Sequence, residues 1–206
     1  MNIKEDLLPD SQYFKQVTKK TMIVIHHTVS PGHDSNGDRN WWLSDPGRIA
    51  THCIITQDGT IHKTIDSAYW GHHIGLKSGN NVALNKASYS IELDSLGPVD
   101  EHGYSLAYKG MRCTAGIQEY SKPFRGFRFF EKYTSLQIEA LRELMLAMSE
   151  KFQIDLTYRP AMWDVCADAL NGENGFWTHV SFRSDKSDCH PQPDLIEMLK
   201  RLSKKQ

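Results

Sequence analysis

No stretch of the 206-residue chain is apolar for long enough to span a membrane, which takes about 20 residues. The opening MNIKEDLLPDSQYFKQ carries charges throughout and lacks the apolar centre of a secretory signal. A chain made in the cytoplasm, without membrane insertion, is therefore expected. Neither sign of charge dominates: 24 Lys and Arg stand against 25 Asp and Glu, a net charge of −1. That balance excludes the broad basic surface that nucleic acid or anionic lipid requires. The four cysteines, Cys53, Cys113, Cys166 and Cys189, are widely spaced and include no CxxC pair. They make no disulfide framework and are read as reduced thiols. No internal repeat or low-complexity tract is visible, and the length suits one well-buried domain.

What is present is an alternation of strand-like and helix-like segments. Residues 1–20 form a polar lead-in. MIVIHH (22–27) is a buried-strand candidate, closed by the turn cluster TVSPG. A short helix is expected at 38–45, stopped by Pro46 and Gly47. Residues 49–65 place two β-rich arms around Asp58-Gly59, a strong hairpin signal. SYSIELDSLG (88–97) is a further strand, and 98–133 predicts irregular structure with a short strand or hairpin. A helix is expected over 135–152, with a Thr134/Gln137 capping box and Leu141, Met145, Met148 and Phe152 on one face. Residues 160–171 read as a weaker helix. The chain closes in another, with Pro193 in its first turn and Leu195, Met198, Leu199 and Leu202 on one face. This order predicts a single α/β domain with a mixed sheet.

Ten histidines are more than this length usually carries, and most must be ordinary packing or surface residues. Two segments stand apart. IVIHHT ends an apolar run in His26 and His27, of which one alone would face a given site, because adjacent strand residues point to opposite faces. HVSFRSDKSD holds His179, Lys186 and Asp188 within ten residues. Either segment alone is more simply structural or a polar loop. Together His26, His179 and Asp188 have the composition of a catalytic zinc site, three protein ligands with a fourth position left for water. Cys189 and His190 follow at once and are also competent ligands; spacing does not choose among them. Glu92, in SIELD, alternates with Ile91 and Leu93 and is either an exposed strand carboxylate or a general base tuned by desolvation. His52 and the WGHHIG stretch with Trp70 and His73 suit packing or, for the latter, a binding groove.

The ordered set IVIHHT, RIATHCIITQDGTI, AYWGHHIG, SYSIELD and H-x6-K-S-D resembles the type-2 N-acetylmuramoyl-L-alanine amidase family across roughly residues 20 to 200. That family includes phage endolysins, bacterial wall-recycling amidases and peptidoglycan recognition proteins. The resemblance implies a mixed central sheet flanked by helices around a zinc cleft, one amidase domain over 1–206 with its core at about 20–200. It implies zinc as cofactor, held by His26, His179 and Asp188, with Cys189 in reserve because it needs a one-residue shift. Glu92 matches the family's strand glutamate and Lys186 its cleft lysine. His73, Trp70 and Thr51 fall at substrate-facing positions. Many endolysin-like members carry tyrosine where this chain has Thr51, whose hydroxyl cannot replace a phenol as an acid, so that burden passes to Glu92. His190 is a candidate support for a ligand.

The activity implied is hydrolysis of the amide between N-acetylmuramic acid and L-alanine, by a monomer acting on peptidoglycan or muropeptides. An endolysin released through a pore made by another protein is one role. A cytosolic recycling amidase, a non-catalytic peptidoglycan-binding module, and an unrelated α/β protein or zinc hydrolase are the alternatives.

Overall fold

The β-branched run at 22–27 forms β2 (Met22–His27), every residue of which is buried. The computed structural model describes residues 1–30, 34–77 and 79–204; the turn expected at TVSPG lies partly outside the described residues. Strand β2 is flanked in parallel by β5 (Ser88–Leu93) and β9 (Gly175–Thr178). Beyond β5 lie β3 (Cys53–Ile55) and β4 (Ile61–Lys63), an antiparallel hairpin around Asp58-Gly59, and β4 pairs in parallel with β1 (Ile3–Glu5). The six-stranded mixed sheet therefore runs β1-β4-β3-β5-β2-β9. Strands buried on both faces read as continuous apolar runs, as 22–25 does.

Helix α1 spans Asn36–Ser44 and α2 Asn81–Ala87. Helix α3 (Ser135–Phe152) opens on the expected capping box: Thr134 Oγ1 accepts from Gln137 N at 3.0 Å, and Gln137 Oε1 accepts from Thr134 N at 2.9 Å. The Gln137 amide also donates to the carbonyls of Ile55 and Asp94, pinning the helix start to the ends of β3 and β5. Its deeply buried face is Ile138, Leu141, Leu144 and Met145, with Met148 and Phe152 only partly covered. Helix α3 packs on α5 (Pro193–Ser203), which buries Leu195, Met198, Leu199 and Leu202.

Three regions differ from expectation. The lead-in is not merely polar chain: β1 pairs with β4 through its backbone and an ion pair between Glu5 and Lys63, its side chains all exposed, and Leu8 and Tyr13 join a small core with Trp42, Ala50, Ile54 and Ile65. The segment 160–171 is a 3-10 turn at Pro160–Trp163 and a four-residue α4 (Ala167–Leu170), because Cys166 N is drawn to Ser181 O instead of a helical carbonyl. Residues 98–131 form a second, three-stranded antiparallel sheet, β6 (Pro98–Val99), β8 (Phe127–Glu131) and β7 (Ile117–Phe124). Fully buried Glu131 anchors it, accepting from the backbone of Leu96 at 2.7 Å and Thr114 at 3.0 Å. No helix among the described residues is long and apolar enough to cross a membrane.

Candidate metal centre

In-register pairing sets His26 opposite Glu92, so both side chains leave the sheet on one face; His27 pairs with Leu93 and leaves by the other. Strand β9 ends beside Ile25, and the chain turns at once into the 3-10 turn His179–Ser181. Ser181 Oγ accepts from Thr178 N, and both hydroxyls donate to Met162 O, which fixes that turn. The loop then returns, and Asp188 O accepts from Val180 N at 3.1 Å.

The result is a buried cluster of His26, His179 and Asp188, with donor atoms all within 4.8 Å of one another. Asp188 Oδ2 lies 3.1 Å from His26 Nδ1 and 2.8 Å from His179 Nδ1. The outer nitrogens are also engaged. His179 Nε2 lies 2.8 Å from Ile74 O, and His26 Nε2 lies 3.0 Å from His73 Nδ1. A backbone carbonyl only accepts, so His179 Nε2 must donate, and its Nδ1 in the neutral ring carries a lone pair. That lone pair faces a carboxylate oxygen. Two acceptors at 2.8 Å require a positive charge between them, either a proton or a metal ion. Two imidazoles and a carboxylate, with the outer nitrogens of both rings engaged, are a donor set that fits zinc.

Burial would raise the Asp188 carboxyl, but the two histidines outweigh it and hold it well below the usual carboxylate range. Burial, aided by His179, pushes His26 down to about 4, against the pull of Asp188. His73 is lowered well below its ordinary value by burial and by His26, and its Nε2 has no hydrogen-bond partner among the described residues. Glu92 is raised well above the usual range by burial, then by Asp188 and Asp38, with Lys186 opposing. The residue is partly open to solvent, yet its Oε2 is enclosed and has no hydrogen-bond partner among the described residues.

These side chains floor a cleft of about 680 Å³. Of the residues singled out from sequence, His26, His73, Glu92, His179, Lys186, Asp188 and Thr51 line it, and His27 borders it at the end of β2. Thr51 is almost wholly buried and donates to Cys53 O. Trp70 does not line the cleft: it is buried and stacks on Phe14, with ring centroids 4.0 Å apart. Cys189 points away from the cluster. Burial raises its thiol, which donates to Tyr133 Oη at 3.1 Å. His190 sits on that side too, between Tyr120 Oη and Glu131 O. Sequence inspection missed Asp38, Trp41, Tyr108 and Arg183, which also line the cleft. The adjacent Trp41 and Trp42 were a usable signal, since neighbouring helical residues cannot share one buried face; Trp42 is buried and Trp41 is 56% exposed.

The fold is that of several solved structures. PlyL is 14% identical, with a TM-score of 0.57, covering 97% of this chain and 98% of its own. The N-acetylmuramoyl-L-alanine amidase LysC from Clostridium intestinale is 16% identical, with a TM-score of 0.54 over 98% and 97% of the two chains. The Ph2119 endolysin from a Thermus scotoductus bacteriophage is 15% identical, with a TM-score of 0.54 over 97% and 99%. No curated protein matches the chain. The family model for N-acetylmuramoyl-L-alanine amidase matches residues 16–191, and the chain belongs to that family.

Proposed function

We propose that this chain is a zinc-dependent amidase that hydrolyses the bond between N-acetylmuramic acid and L-alanine in peptidoglycan, in the role of a phage or prophage endolysin. The observation that carries this reading is the convergence of His26 Nδ1, His179 Nδ1 and Asp188 Oδ2 on the floor of an open cleft. His26, His179 and Asp188 would hold the ion, within a single amidase domain whose core spans about residues 20–200. When bound, zinc supplies Lewis acidity that lowers the pKa of a water and polarises the scissile carbonyl.

The protein's own groups do the rest. With a bound ion's charge opposing the burial that raises it, Glu92, on the same face as His26 and with its Oε2 enclosed, would take the proton of the attacking water. As the C–N bond breaks, that proton passes to the alanine nitrogen, leaving a lactyl carboxyl group and a free amine. Lys186, a donor without acceptor capacity, stabilises the oxyanion as it develops. Asp188 stays ionised between the two imidazoles, and His73 supports His26 from behind while lining the substrate side.

Mass spectrometry of intact sacculi and of soluble muropeptides, each incubated with the zinc-loaded protein, tests bond and substrate size together. Stem peptides with a free alanine amine, released from sacculi with the glycan uncut, are expected. Release from soluble muropeptides alone would replace the endolysin role with muropeptide recycling. Cut glycan or no release would overturn the amidase reading.

A further inference from the structure

The strand-to-helix connection from β4 to α2 supplies the groups behind both histidines, and it is itself irregular. His73 contributes Nδ1 to His26, and Ile74 contributes its carbonyl to His179. Sheet pairing does not fix this dipeptide, since the isolated bridges nearby involve Trp70 and His72. One side chain does. Asn85, fully buried on α2, accepts with Oδ1 from His73 N at 2.8 Å and from Ile74 N at 3.1 Å. Its Nδ2 donates to Asn81 O at 2.7 Å, and Asn81 Oδ1 accepts from Leu76 N at 2.9 Å. The two backbone donors leave no ambiguity about which amide atom faces the loop.

We propose that Asn85 is a positioning residue for the metal centre: one buried side-chain oxygen sets the dipeptide His73–Ile74 and, through it, the outer nitrogens of His26 and His179. This rests on the metal reading given above. Ligand geometry must hold to a fraction of an ångström, and groups behind the ligands supply that precision. Each histidine is oriented by a different atom of one dipeptide, so a shift of that dipeptide moves both rings together. Arg183 reinforces the same turn, donating to Gly75 O at 2.9 Å.

The test is zinc affinity by chelator competition on the full chain, with thermal unfolding as the check on folding. Asn85→Ala is expected to weaken zinc roughly 10–100-fold, the range for partners behind metal ligands. It should also alter the visible spectrum of the cobalt-substituted protein, which reports ligand geometry. Should the alanine variant not fold, Asn85→Ser, which shortens the reach of the acceptor, takes its place with the same expected loss. A folded Asn85→Ala or Asn85→Ser variant with wild-type affinity and spectrum overturns the clamp alone. Wild-type protein that takes up no zinc overturns the metal reading and the clamp with it.

Discussion

His26 and His27 are neighbours in sequence and equally buried, yet they belong to two different histidine clusters on opposite faces of the sheet. On the cleft face, His26 meets His179, His73 and a carboxylate, and the outer nitrogen of each of His26 and His179 is engaged. On the other face, His27 meets Tyr133 Oη at 2.8 Å, and His190 stacks against Phe130 and Tyr133. Burial pushes His27 down to about 4 and His190 well below its ordinary value, so both are neutral packing groups. Burial therefore does not distinguish the clusters. A carboxylate facing the nitrogens of two imidazoles at the floor of a cleft does.

The sharpest way to break this comparison is to remove one histidine from each face. His26→Ala and His179→Ala are expected to abolish bound zinc and activity, measured by metal analysis and muropeptide release. His27→Ala should keep zinc and lose stability instead, by about 1–3 kcal/mol for the polar groups left unpaired, read from denaturant unfolding. Glu92→Gln separates chemistry from binding on the cleft face. Zinc should stay while turnover falls about 10²–10⁴-fold, the usual contribution of a general acid–base; near-native turnover would mean another base operates. The pair Asp188 and Cys189 repeats the test on adjacent residues. Asp188→Ala should weaken zinc, and Cys189→Ser should leave its affinity unchanged, because that thiol faces Tyr133.

The smallest effect concerns His52, a buried histidine outside both clusters. His52 is held between Ser90 Oγ and Tyr69 O, and burial lowers it to about 3 from an ordinary 6.5. Between those values the unfolded chain binds the proton and the folded one does not, so this contribution to stability is full above about pH 6.5 and lost as pH falls towards 3. His52→Gln should flatten that part of the stability profile and leave zinc binding alone. An unchanged pH slope would show that His52 is already protonated in the fold.

Much of this was legible because it depends on short-range pattern. The β-branched run at 22–25, the Asp58-Gly59 turn and the Thr134/Gln137 box each encode their element locally, and all three form. Strand alternation alone predicts that only one of His26 and His27 faces a given site. Strands β1 and β9 and helix α2 were not legible. Strand β1 buries no side chain, and β9 is only four residues long. Among the site residues, Trp70 illustrates the limit. Its motif places it near the cleft in sequence, but its partner Phe14 lies in the lead-in, where no local signal announces a stack. Asn85 was equally hidden, since its role exists only through a loop twelve residues away.

The most direct measurement is anomalous scattering at the zinc edge from crystals of the protein grown with the metal. The account predicts one peak, about 2.0–2.2 Å from His26 Nδ1, His179 Nδ1 and an Asp188 carboxylate oxygen. A peak at Cys189 or among His27 and His190, or no peak at all, would contradict it.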